Sequence, residues 1–337
     1  MSLARLSAGA GYQYLLRHTA CGDASREAGT ELTAYYAESG YPPGAWFGTG
    51  LAGLGLSPGD VTRGSTVTEE AMARVFGSGH DPVTDRPLGR AYPTYRTRAQ
   101  RVADAVALLP EGLRGAERDA AVAAIERVES ARRPRVAVAG FDMTFTAPKS
   151  ASVLWALADP VTQQVVLDAH HAAVRDVLSF VESRAVFTRV GARSCAQVPT
   201  QGMVAALFDH WDTRTGDPNL HTHVVIANRV RGLDGQWRTL DSRALHHAVV
   251  AISEVYDNLF ADHLARVLPV AWEHRDRGPR RTPAFELAGL PDRLLAEFST
   301  RSAQVDAAMV AAVADFKATR GRGPSRVETT QLRQRII

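Results

Sequence analysis

The sequence predicts an α+β fold, a largely antiparallel sheet with helices packed on it. Three observations predict it. Apolar runs of strand length fall at 135–146, 184–191, 202–211 and 221–229. Stretches of helical character, several of them Ala-rich with interspersed charges, fall at 68–76, 97–130, 148–158, 160–182 and 244–267. Several of the strands lie only a turn apart, so they pair as hairpins and not through crossovers.

In chain order, residues 2–7 read as a first strand and the region around Tyr12–His18 as helix-like. Residues 40–66, rich in Gly and Pro, read as loop with brief turns. HDPVTDRPLGRAYPTYRTR reads as an arginine-rich loop between the helical stretches 68–76 and 97–130. A short strand at 236–240 is expected to pair back on its neighbours. In 244–267, Ile252, Tyr256, Leu259 and His263 share one helix face. HRDRGPRRTP breaks the pattern, and from residue 289 the chain is helical and increasingly polar.

A chain of 337 residues suggests one large domain or two. At 45% hydrophobic and 22% charged it can bury a sizeable core. Cys21 and Cys195 are the two cysteines, which excludes a disulfide framework and a cysteine-rich zinc site and fits a reducing cytoplasm. No apolar run approaches the roughly 18–20 residues of a membrane span, and the N-terminus does not read as a signal peptide. The net charge of +3 does not by itself identify a nucleic-acid binder. Only Lys149 and Lys317 are lysines, so the basic residues are nearly all arginine.

The motif with most chemical content is HWDTRTGDPNLHTHVVIAN. Alternation on a strand sends His221 and His223 to one face and Thr222 and Val224 to the other. His210 ends the preceding run, and Gly-Asp-Pro turn chemistry separates the two. A hairpin of this kind brings His210 beside the pair. Three neutral imidazoles converging on one point make an open metal site. Such ligands admit Zn, Mn, Ni, Co or Fe, and Mg²⁺ where phosphate oxygens complete its shell. The pattern alone fits a hydrolase, an oxygenase or a phosphoryl-transfer enzyme.

In GFDMTFTAPKSAS, alternation puts Phe141, Met143 and Phe145 on one face and Asp142, Thr144 and Thr146 on the other. An acidic residue in a buried-type strand needs a partner, and a ligating histidine N–H is a natural one. Asp142 is also a candidate proton acceptor. Pro148 then opens a helix whose first N–H groups are available to an anion. Five of the eight tyrosines, Tyr12, Tyr14, Tyr35, Tyr36 and Tyr41, lie in the first 41 residues. A tyrosine hydroxyl attacks a phosphodiester when a base and a metal assist. Clustering alone is equally met by aromatic core packing.

Three blocks taken together resemble the relaxase domain of MobF-class (TrwC/TraI-like) conjugative relaxases, of the actinobacterial type. They are the N-terminal tyrosines with GAWFGTGLAGLGL, FDMTFTAPKSASVLWAL, and the histidine block. The resemblance covers roughly residues 3–290. It implies a five-stranded antiparallel sheet with flanking helices, the palm of HUH endonucleases. It implies strand-specific nicking of DNA at an origin of transfer, with a tyrosine joined to the 5′ end, a free 3′-OH and later rejoining. It assigns His210, His221 and His223 to a divalent metal, Mg²⁺ or Mn²⁺ in function, and places Asp142 beside metal and nucleophile.

Here the tyrosines depart from the family pattern of two close YY pairs. The first is Tyr12-Gln13-Tyr14, and Tyr35-Tyr36 follows after a longer spacer. Tyr12 and Tyr14 both remain open as the first nucleophile. Tyr14 is preferred, with Tyr35 second. The region 60–135 is also longer than the family leads one to expect. Its loop TDRPLGRAYPTYRTR interleaves Tyr92 and Tyr95 with arginines, a composition that suits single-stranded DNA as well as a solvated loop. Arg90, Arg96 and Arg98, with Lys149 and Arg214, are the candidate DNA contacts.

The expected organisation is a relaxase domain over 1–290 and a helical extension over 291–337, leading toward a helicase beyond residue 337. No GxxxxGK[ST] loop occurs, so no ATPase activity is expected of this chain. Expected partners are single-stranded or hairpin DNA, relaxosome accessory proteins and a type IV secretion coupling protein. The expected place is the cytoplasm, with transfer to a recipient cell alongside DNA. The competing readings are a rolling-circle replication initiator and a His₃ metallohydrolase that uses water.

Overall fold

Val138–Thr146 and Pro218–Ala227 are strands buried on both faces: each supplies apolar side chains to two different cores. The computed structural model describes residues 1–13, 15, 42–132, 134–278 and 282–336. Its main sheet has five antiparallel strands in the order β1 (Ser2–Ser7), β3 (Val138–Thr146), β7 (Pro218–Ala227), β6 (Ala205–Asp212) and β2 (Ala45–Phe47). The two histidine-bearing strands therefore lie side by side near the centre.

One face of the sheet carries Phe141, Met143, Phe145, Val224 and Ile226. Against it pack two 26-residue helices, Pro160–Ala185 and Ser242–Val267. Asp159 caps the first by accepting from the Val161 and Thr162 amides, and Pro160 occupies its first position. Its buried residues Val166, Ala169, Ala173, Val177 and Val181 recur at three- and four-residue spacing. The second helix buries Ile252, Tyr256, Phe260 and Leu264 in the same way.

The other face carries Leu6, Trp46, Ala139, Val225 and Phe208, covered by Leu51, Met72, Val75 and Phe76. Here the reading of 40–66 as loop is corrected. Ala45–Phe47 is the edge strand, paired with Ala205–Leu207. Three residues are too few to show a period, and pairing with a distant strand holds them extended. Gly48 (φ +115°) then lets the chain pass the Met203 carbonyl, which a Cβ would meet at 2.1 Å.

Other boundaries also move. The stretch 97–130 is two helices, Arg98–Ala107 and Gly115–Ala131, parted at Pro110. The strand expected at 184–191 is β4 (Phe187–Val190), which lies outside the main sheet and forms a ribbon with β5 (Ala196–Pro199). Trp237–Arg238 does pair back, on Val230–Arg231. Within the region read as a break, Trp272–Arg275 and Ala284–Leu287 form a further hairpin. Helices Asp292–Glu297, Thr300–Arg320 and Arg326–Ile336 follow. Among the described residues no helix is long and apolar enough to cross a membrane.

Candidate active site

Register builds the site. His210 stands directly across from His221, and alternation returns His223 to the same face. The three ring centroids are 5.0–5.2 Å apart. One nitrogen from each ring lies within 4.8 Å of the others, so the three could hold one metal ion. A register shift between His210 and Asp212 ends the regular ladder. The turn beyond is closed by the Thr213 and Gly216 amides, with Gly216 at φ +77°.

Two of the imidazoles, His221 and His223, are held in a ligating form. His221 Nδ1 lies 2.6 Å from the Asn219 carbonyl oxygen, which can only accept. Nδ1 therefore carries the proton and Nε2 keeps its lone pair. Burial pushes the His221 pKa down to about 4, helped by the neighbouring His223 and opposed by the Asn219 carbonyl. The ring is neutral at pH 7. His223 Nδ1 lies 2.8 Å from Asp142 Oδ2, so its Nε2 is likewise left for a metal. Thr144 Oγ1 is 3.3 Å from the same Nδ1. Asp142 is buried on the adjacent strand, in the place the cost of its burial argued for.

The structure brings two further candidates to the histidine turn. Lys149 donates to the Pro218 carbonyl at 2.7 Å. Its burial lowers the ammonium pKa, against the pull of Asp217 and Glu286. Arg214 lies in the turn itself, its pKa lowered by burial and then by Arg301. Arg90, Arg96 and Arg98 lie elsewhere. Their loop meets β3 at the Ala139 carbonyl, through the Tyr92 hydroxyl. Ala139 is five residues from Thr144, about 17 Å along the strand. Arg90 is exposed, Arg96 pairs with Asp104 at 2.6 Å, and Arg98 reaches the Glu126 carbonyl.

Of the tyrosines, Tyr12 ends up in a short 3₁₀ turn, Ala10–Gln13, buried in the cluster with Leu6 and Phe76. Tyr14 and Tyr35 lie outside the described residues, as do Tyr36 and Tyr41. The helix start after Pro148, offered by sequence to an anion, is taken by the chain's own carboxylate. Glu286 accepts from the Ser150 amide at 2.8 Å and its hydroxyl at 2.6 Å. That carboxylate comes from the hairpin the sequence did not reveal.

Sequence reasoning also missed Asn219, whose contribution is a backbone carbonyl and leaves no side-chain signature. It missed Asp217, which accepts from the Thr300 and Arg301 amides at 3.1 and 2.8 Å. Burial alone would raise the Asp217 pKa, but these hydrogen bonds hold it below the usual carboxylate range. The histidine turn is thereby fastened to the start of helix Thr300–Arg320.

A model of the TrwC relaxase family matches residues 8–335. The chain belongs to the TrwC relaxase family. Two curated relatives are multifunctional conjugation proteins TraI. One, from Escherichia coli, is 41% identical over 103 residues, and the other, from strain K12, is 35% identical over 126. Those stretches are 31% and 37% of this chain but only 6% and 7% of the relatives' lengths. Among solved structures, the conjugative relaxase TrwC in complex with oriT DNA, metal-bound, has a TM-score of 0.62 at 23% identity, covering 99% of this chain and 90% of that one. TrwC with mutant oriT DNA has a TM-score of 0.55 at 25% identity, covering 99% and 88%. The family's fold thus extends over nearly the whole chain.

Proposed function

We propose that this chain is a conjugative relaxase: a metal-dependent transesterase that nicks one strand of DNA at an origin of transfer and later rejoins it. The observation carrying the reading is the trio of converging imidazoles, with His223 backed by Asp142, in a chain of this family. His210, His221 and His223 would hold a divalent cation, Mg²⁺ or Mn²⁺ in function. When bound, the cation draws charge from the non-bridging oxygens of the scissile phosphate.

Tyr14 is the proposed nucleophile, with Tyr35 as a second tyrosine. Tyr12 is the weaker candidate because its ring is buried in the apolar cluster. The Tyr14 hydroxyl oxygen forms a bond to phosphorus and the bond to the 3′ oxygen breaks. The phenolic proton passes to Asp142 or to water, and the leaving 3′ oxygen takes up a proton. The products are a 5′-phosphotyrosine adduct and a free 3′-OH. One phosphodiester replaces another, so the step is near energy-neutral and reversible, as rejoining requires.

The substrate is single-stranded or hairpin DNA; a 27-mer DNA comprising the recognition hairpin and the cleavage site is the ligand named for one TrwC complex. Arg214 and Lys149 at the histidine turn, and Arg90 with Arg96 and Arg98 at the far loop, are proposed phosphate contacts. Accessory proteins of the relaxosome and a secretion coupling protein are the expected partners in the cytoplasm. Residues 1–290 form the catalytic unit, and 291–337 a helical extension latched to it through Asp217.

The test is incubation of the chain and Mn²⁺ with oligonucleotides from its own element's origin candidates, followed by a denaturing gel and peptide mapping. A protein–DNA adduct on Tyr14, lost with EDTA and in His221→Ala, is the expected result. An adduct on Tyr12 or Tyr35 keeps the activity and moves the nucleophile. Cleavage without an adduct would replace the reading with a water-using nuclease.

A further inference from the structure

We infer that a hydrogen-bonded chain on the opposite face of the sheet, His171–Asp209–Thr222–His170–Tyr256, buried from Thr222 inward, sets the spacing of the three metal-binding imidazoles. The inference rests on the metal-site reading above. These five are positioning residues: they act from behind, through the strands that carry the ligands.

The geometry is continuous. His171 Nε2 lies 2.9 Å from Asp209 Oδ2. The Thr222 hydroxyl donates to Asp209 Oδ1. His170 Nε2 lies 2.8 Å from Thr222 Oγ1, and its Nδ1 lies 2.7 Å from the Tyr256 hydroxyl. The direction of every bond follows from one fact, that an ionised carboxylate can only accept. Thr222 spends its one proton on Asp209, so its oxygen accepts from His170 Nε2–H. His170 Nδ1 is then bare and accepts from the Tyr256 hydroxyl.

His170 and Tyr256 are fully buried and Thr222 nearly so. Polar groups in such a place are costly unless all are satisfied, and apolar side chains of the same size would fill the space without that risk. What a satisfied chain adds is a single permitted arrangement. Asp209 immediately precedes His210, and Thr222 stands between His221 and His223. The two are directly opposite in the ladder. Their bond thus fixes β6 against β7 at the level of all three ligands, and a one-residue slip would break it while turning the imidazoles to the wrong face. His170, His171 and Tyr256 anchor that bond to the two long helices.

The experiment titrates Mn²⁺ into the full chain, read by calorimetry and by the Mn²⁺ spin-resonance signal, with stability followed by denaturant unfolding. Thr222→Val removes the oxygen at nearly constant shape, and Thr222→Ser keeps it. The expected result is a loss of Mn²⁺ affinity of about tenfold in Thr222→Val, the size seen when groups behind metal ligands are removed, and recovery in Thr222→Ser. Nicking by Thr222→Val should lose kcat at subsaturating Mn²⁺ with KM for DNA unchanged. Wild-type Mn²⁺ affinity in a folded but less stable Thr222→Val overturns the inference and leaves the chain a stabilising device. Should Thr222→Val not fold, His171→Leu at the solvent-facing end decides: a loss of about threefold supports the inference and no change overturns it. Absence of Mn²⁺ binding by the wild-type chain would instead sink the metal-site reading, which His221→Ala checks separately.

Discussion

The histidine hairpin and the loop 80–98 both concentrate residues suited to ligands, yet they use them differently. In the hairpin, alternation and register force three side chains onto one point, and each ring described has its second nitrogen or its strand held by a neighbour. In the loop, the two tyrosines are covered by arginines that come from outside it. The Arg229 guanidinium lies over the Tyr92 ring at 4.2 Å, and Arg135 over Tyr95 at 4.6 Å. Burial also raises the Tyr92 pKa, in spite of Arg229. Composition is the same kind of signal in both regions. Only in the hairpin does the backbone period convert it into geometry.

The comparison is broken most directly at the ligands. His221→Ala should reduce metal affinity by more than about a hundredfold, beyond the 10–100-fold typical of groups behind ligands, and abolish nicking; calorimetry and the adduct assay check both. Asp142→Asn keeps the shape but weakens the acceptor for His223 Nδ1–H. It should cost about tenfold or more in metal affinity, measured in the same titration.

Acid sharpens the comparison from the helix side of the sheet. Burial holds the His170 pKa down to about 3, with His171 and His221 pushing the same way and Asp209 opposing; the Tyr256 hydroxyl faces its other nitrogen. The unfolded chain takes up a proton near pH 6.5 that the folded chain refuses until about pH 3. Stability from this group is therefore full above pH 6.5 and falls as the pH drops toward 3, by an amount of order 4 kcal/mol. Denaturant unfolding of wild type and His170→Gln across that range should show the slope flattening in the variant.

At the loop the effects should be those of packing alone. Tyr92→Leu removes the surface under Arg229 and should cost about 1–2 kcal/mol of stability with metal affinity unchanged. Arg96→Gln breaks an exposed pair with Asp104 and should change stability by less than about 0.5 kcal/mol. A DNA-affinity loss in Arg96→Gln without any stability change would restore the loop as a nucleic-acid contact.

Much of this was legible in the sequence. β1, β3, the two long helices and the histidine trio follow from periodicity, and the Asp142–His223 contact follows from the cost of a carboxylate in an apolar strand. What was not legible depends on distant partners. Ala45–Phe47 is a strand only because Ala205–Leu207 lies beside it. Glu286 fills the helix start at Ser150 from a hairpin whose flanking arginines and proline read as a break. His170 looks like any helical histidine until Thr222 and Tyr256 arrive from 52 and 86 residues away.

A hairpin tip is ordinarily where a chain accepts foreign residues, because nothing depends on its length. The turn at Gly216 is the reverse. Lys149 grips the Pro218 carbonyl on one side, and Asp217 holds the first amides of Thr300–Arg320 on the other. A fluorescent peptide spliced there would disturb ligands and helix together. Between Ala107 and Gly115 the helices Arg98–Ala107 and Gly115–Ala131 are joined by an exposed stretch around Gly112, with open space about that glycine. That second tip is the place to attach a reporter that leaves the histidine hairpin undisturbed.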